Sequence, residues 1–85
     1  MRIFWTEPFR RDFKDLPGNI QRRMAKALER YESDPAHGSL GVKKMKGTDA
    51  IWEMRVSRNH RLTFEKVEGG LLLRRIGIHD ILRNP

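Results

Sequence analysis

Three kinds of side chain in this sequence can grip a phosphate or exchange a proton, and they crowd into its second half. His79, in RIGIHD, is one of three histidines; an imidazole with an ordinary pKa of about 6.5 trades a proton near neutral pH. Arg55, Arg61 and Arg75 are planar forks suited to bidentate contact with phosphate oxygens. Lys43, Lys44 and Lys46 make a basic run in which Lys44 and Lys46 share one face of an extended segment and Lys43 takes the other. With Arg58 and Lys66 added, and only Asp49, Glu53 and Glu65 against them, residues 41–66 hold much of the net charge of +7, while residues 1–35 are near balance. Such a stripe suits a polyanion or an acidic protein. The plainer alternative is a solvated basic surface, with His79 only closing the end of a strand by hydrogen bonding.

For these residues to meet, the chain must build a sheet. Eighty-five residues, 38% hydrophobic and 34% charged, have room for one globular domain with a modest core, read here as spanning residues 1–85. RIFWT (2–6) is a β-branched and aromatic run, a first strand. Thr6 then caps a helix with Glu7 and Pro8 in its first turn, where an acid suits the dipole and proline loses no bond. Phe9, Phe13 and Leu16 give that helix one apolar face, and LPGN (16–19) ends it. A second helix sets Ile20, Met24, Ala27, Leu28 and Tyr31 on one side, with Arg22, Arg23, Lys26, Glu29 and Arg30 on the other. Asp34, pushed out of helical geometry by Pro35, stops it.

The remainder reads as strands over 41–47, 50–56, 61–67 and 71–79. Trp52, Met54 and Val56 face the core, as do Leu62 and Phe64, then Leu72, Ile76 and Ile78. EGG (68–70) is a hairpin turn. The fold class is α+β: a strand, a helical hairpin, then an antiparallel meander of about four strands, with both helices on one sheet face. Arg55, Arg61, Arg75 and His79 gather on the other face. Gly77, two residues before His79, leaves a bare patch beside the imidazole.

There is no cysteine, so no disulfide and no thiolate metal site, which fits a reducing cytoplasm. Arg2, Glu7, Arg10, Arg11 and Asp12 interrupt any signal-peptide core, and no stretch approaches the length of a membrane span. A cytoplasmic location without membrane association is expected. Three scattered histidines without a carboxylate cluster do not make metal spacing, so neither metal nor other cofactor is expected.

FRRDFKDLP with the helix after it, then KKMKG, IWEMRVSRNHRLTFE and RIGIHD in that order, resemble the RelE/ParE superfamily of bacterial type II toxins, and within it the RelE-like messenger-RNA interferases. The resemblance covers nearly the full length. It implies a toxin that cleaves messenger RNA in the ribosomal decoding site and is silenced by a cognate antitoxin, so the expected partners are that antitoxin, the ribosome and mRNA. On this resemblance Arg61 matches an arginine used on the scissile phosphate, and Arg55 lies where a second cationic contact is common. Lys43, Lys44 and Lys46 match a basic strand that grips RNA, Arg75 joins that binding surface, and His79 matches a histidine that some branches place at the end of the last strand.

The implied reaction is attack by a ribose 2′-hydroxyl on the adjacent phosphate, which needs a base, a stabiliser of the developing charge and an acid for the leaving oxygen. His79 is the candidate acid. Lys46, if neighbouring cations depress its pKa, or Glu53, the acid on the site-facing side of its strand, is the candidate base; a salt bridge from Glu53 to Arg61 is the plainer reading. The chain departs from the family pattern in two places. The tail after His79 is Asp80, Ile81, Leu82, Arg83 where many members have an aromatic, and no carboxylate base appears near GSLGV. A ParE-like toxin that poisons DNA gyrase by binding, and an inactive relic that keeps its antitoxin, are the other readings of the same residues.

Overall fold

Thr6 joins the first strand, the first helix and the last strand. In the computed structural model, which describes all of residues 1–85, β1 (Arg2–Trp5) runs straight into α1 (Glu7–Lys14). The Thr6 hydroxyl accepts from the Phe9 amide at 3.3 Å and donates to the Leu73 carbonyl at 2.8 Å. The cap alone contributes about 1 kcal/mol. Phe9 is fully buried, and Trp5 meets Phe9 and Phe13 edge-on at 5.0 and 4.8 Å between ring centres.

α2 (Gly18–Ser33) starts two residues earlier than the sequence suggests. Pro17 is preorganised to precede a helix, so Gly18 and Asn19 enter the first turn instead of forming a link. Gln21 donates to the Phe13 carbonyl at 2.9 Å, tying α2 back to α1. Ile20, Met24 and Ala27 are its buried side, at the helical spacing expected.

The sheet runs β1-β5-β4-β3-β2, with β2 (Lys43–Lys44), β3 (Trp52–Arg55), β4 (His60–Val67) and β5 (Gly70–Ile78). The last four strands are an antiparallel meander, but β1 lies parallel to β5, so the sheet is mixed. Phe9 and the inner face of α2 pack with Met54, Val56, Leu62, Phe64, Leu71, Leu73 and Ile76 into one core. No helix is long and apolar enough to cross a membrane.

Three local readings change. The basic strand expected over 41–47 is two residues long, because Gly41 and Gly47 take left-handed φ values of 52° and 79° and turn the chain on either side. In β5 an extra residue interrupts the ladder: Phe64 pairs with Leu73 but Thr63 with Arg75. This β-bulge switches the inward positions from Leu71 and Leu73 to Ile76, so strict alternation fails and Leu72 lies on the outer side. Finally, β5 ends at Ile78, opposite His60, the first residue of β4. With no partner strand left, His79–Arg83 turns into a short 3₁₀ segment.

That segment covers part of the sheet face away from the helices. Ile81 is buried there, and Thr63, an outward position by alternation, is fully buried and donates its hydroxyl to the Pro85 carbonyl at 3.0 Å.

Candidate active site

Arg55 pairs across the sheet with Arg61, and Arg61 pairs with Gly77, so one row of three strands carries two guanidiniums. Directly opposed residues sit about 4.5–5.5 Å apart, and like charges so placed repel. No carboxylate relieves them: the chain's four ion pairs are Met1–Glu32, Arg11–Glu7, Arg74–Glu65 and Arg75–Asp12. Arg61 is instead aimed by the β3–β4 turn, with Nη1 donating to the Ser57 and His60 carbonyls at 2.9 Å each. That leaves the other guanidinium nitrogens for an anion, and Arg55 is exposed. The salt bridge between Glu53 and Arg61 does not form; Thr63, not Arg61, is opposite Glu53.

His79 begins the 3₁₀ turn just past this row and is exposed. Its ring makes no hydrogen bond, whereas His37 and His60 bond to Ser39 and Ser57 at 2.7 and 2.9 Å. Those two are held in turns through Nδ1, whereas neither ring nitrogen of His79 is engaged within the chain.

Arg75, expected among the RNA-binding residues, is engaged elsewhere. Its Nε and Nη2 donate to the two oxygens of Asp12 at 2.6 and 3.1 Å, and Asp12 also accepts from the Ile76 amide at 3.1 Å. The hydrogen bonding to Asp12 holds the Arg75 guanidinium above its ordinary range, against a lesser effect of burial. The physical reason is the edge of β5: β1 covers it only as far as Leu73, so the first helix, through Asp12, satisfies what lies beyond. Asp12 is a positioning residue that sequence reading missed, and nothing local marks it.

Lys43 and Lys44 take opposite faces, as their alternation predicts, and register decides which face each takes. Lys43 is opposite Glu53, hence on the face of Arg55 and Arg61, while Lys44 is opposite Trp52, on the face of the helices. Lys46 lies beyond the strand. Lys43, Lys44, Lys46 and Glu53 line one recess of about 420 Å³ at the β2 edge, so both candidate bases are brought to the same place. No group of three or more His, Cys, Asp or Glu converges.

Gly77 is not a bare patch. A Cβ there would meet Cγ2 of Ile81 at 2.9 Å, so glycine lets the 3₁₀ turn that carries His79 seat on the sheet. Gly77→Ala is expected to cost about 1–2 kcal/mol through overpacking. Ile81→Ala, which empties a buried site, is expected to cost about 2–4 kcal/mol. Because the two share one contact, Gly77→Ala should cost less in the Ile81→Ala background. Denaturant unfolding of the four proteins checks this; strictly additive losses would mean that the contact is not what selects glycine.

With the geometry described, comparison with known proteins places it. The family described as ParE toxin of type II toxin–antitoxin systems, parDE, matches residues 3–82. Toxin RelE3 of Methanocaldococcus jannaschii is 27% identical over 78 residues, covering 89% of this chain and 88% of that protein. Among solved structures, the toxin in the RelB–RelE complex from Methanococcus jannaschii superposes with a TM-score of 0.74 at 22% identity, over 95% of each chain. The YoeB dimer from Staphylococcus aureus gives 0.78 at 15% identity over 93% of this chain and 97% of that one, and YafQ from E. coli 0.78 at 13% over 95% and 96%. The latter three likenesses concern the fold alone, but the family match spans nearly the whole chain. This protein therefore belongs to the ParE toxin family of type II toxin–antitoxin systems, within the RelE/ParE superfamily.

Proposed function

We propose that this toxin is a ribosome-dependent endoribonuclease that cuts mRNA without a metal, by attack of a 2′-hydroxyl on the neighbouring phosphate. The observation that carries the reading is the opposed pair Arg55 and Arg61, without a carboxylate partner, in a row that ends at Gly77, two residues before an exposed and unbonded His79. Two forks can hold the non-bridging oxygens and strengthen their contact as charge develops. His79 supplies the proton that the departing 5′-oxygen takes up. Lys46 or Glu53, which share one recess, accepts the proton of the attacking hydroxyl. Lys43 and Lys44 hold the strand by its backbone, Lys43 from the reactive face and Lys44 from the sheet edge. Arg75 acts indirectly, by fixing β5 against α1.

The relative named Toxin RelE3 and solved structures titled as RelB–RelE, DinJ–YafQ and YoeB–YefM complexes support a cognate antitoxin as the partner of this chain too. An antitoxin segment with acidic residues and an apolar helix suits the basic sheet face.

A second reading has its own support. The matching family is described by its ParE toxin, and a toxin that binds DNA gyrase without chemistry needs no proton donor. The tail lacks an aromatic after His79, which also keeps an inactive relic in play. Induction in growing cells separates the three. The ribonuclease stops incorporation of labelled amino acids within minutes, before labelled thymidine, and leaves mRNA with new 5′ ends. Arrest of DNA synthesis first would overturn this reading in favour of gyrase, and no arrest at all would favour the relic.

A further inference from the structure

One cleft adjoins the sheet row and shares only Arg55 with the chemistry above. Arg23, Lys26 and Arg30 recur at intervals of three and four along α2, so they stack along one side of the helix. Across a cavity of about 340 Å³, Arg55 and Arg58 face them from the end of β3 and the turn after it. No carboxylate lines the cavity, and none of the five cations takes part in an ion pair. Of the acids on α2, Glu32 holds the amino terminus at 2.8 Å, and Glu29 lies outside this lining, in an adjoining recess with Lys26 and Arg30. A concave surface lined by one sign of charge focuses its field and concentrates counter-ions. Left empty, such a cluster only repels itself.

We propose that this cleft is a second anion site, which holds the phosphodiester backbone of a nucleic-acid strand at nucleotides beyond the bond cut on the sheet. The proposal rests on the ribonuclease reading for its substrate but not for its test. Two features favour a nucleic-acid backbone over an acidic peptide. Arg55 belongs to both the sheet row and the cleft, so the two sites are continuous around the end of β3. A polymer bearing one charge per nucleotide fills such a track without the apolar anchors that a peptide uses. The α2 cations therefore position the strand, and Arg55 hands it to Arg61.

The test removes the helix side only, since Arg55 also serves the sheet. Arg23→Gln, Lys26→Gln and Arg30→Gln are combined in a His79→Gln background, so that the probe is not cut. All three sites are exposed, and glutamine keeps helix propensity, so circular dichroism should be unchanged. A 30-nucleotide single-stranded RNA of mixed sequence and its DNA counterpart are titrated by fluorescence anisotropy across a range of salt. Losing three phosphate contacts should lower the slope of log affinity against log salt by about two for both probes. A control with the same loss of charge on α1 (Arg10→Gln, Arg11→Gln, Lys14→Gln) should leave the slope nearly unchanged.

Equal reductions in the two triple variants would reduce the effect to net charge and overturn the site. So would an unchanged slope in the α2 variant, or a polyglutamate peptide that needs the α2 cations when RNA does not. If the native protein cuts nothing yet the α2 slope falls as stated, the ribonuclease reading fails and the cleft stands.

Discussion

His79→Gln is expected to slow cleavage of mRNA on programmed ribosomes by roughly 100-fold or more in single-turnover conditions, with affinity unchanged. Glutamine keeps a neutral hydrogen-bonding group and much of the volume, but it cannot carry a proton to the leaving oxygen. The surroundings of His79 make this a sharp test. The ring is exposed and bonds to nothing in the chain, so the substitution removes no internal contact and the melting temperature should move by no more than a degree or two. A histidine serving only to close β5 would give the reverse, a less stable protein that cuts at its normal rate. That outcome would remove the acid from the mechanism and shift the balance towards gyrase binding or loss of activity.

A large loss of stability, comparable to that of Ile81→Ala, is expected from Asp12→Ala. That carboxylate accepts both hydrogen bonds of the Arg75 fork and one from the Ile76 amide, and the Arg75 and Asp12 side chains are only 30% and 19% exposed. Deleting it strands a half-buried cation and an edge amide. Losing hydrogen bonds to a charged group, with the donors left unpaired, costs about 3 kcal/mol. For a chain of this size that lowers the melting temperature by roughly 12–24 °C. Asp12→Asn keeps one acceptor oxygen for the amide or the fork and should cost about half as much. Thermal unfolding at neutral pH, followed by near-ultraviolet circular dichroism, measures both. If Asp12→Ala melts within 3 °C of the parent, the clamp is a surface ion pair of little weight, and Arg75 returns to the set of residues available to RNA.

Local pattern was enough for the order of elements, the capping Thr6, the inward faces of α2, β3 and β4, and the concentration of cations in residues 41–66. Periodicity encodes these directly, because burying one face at a time is all that a helix or strand needs from its own sequence. The site was half legible. Arg55 and Arg61 share a face by alternation alone, and His79 was visible as a titratable group after the last strand. The family's motifs pointed to a toxin before any coordinates did. The five-cation cleft had a faint signal in the spacing of Arg23, Lys26 and Arg30, but its other wall comes from β3 and the turn after it.

What tertiary structure decided was pairing. Arg75 finds Asp12 across 63 residues of chain, and neither residue's neighbours announce it. The extra residue in β5, opposite Thr63 and Phe64, breaks the parity of that strand, so alternation counted back from Ile76 misplaces Leu72. Alternation within KKMK sets Lys43 and Lys44 on opposite faces, but only register with Glu53 and Trp52 puts Lys43 on the face of Arg55 and Arg61 and Lys44 on that of the helices. Gly77 is glycine because Ile81 folds back over it. In each case the deciding partner is fixed only when the sheet closes, since hydrogen-bond register and side-chain contact depend on distance in space, which a one-dimensional period does not carry.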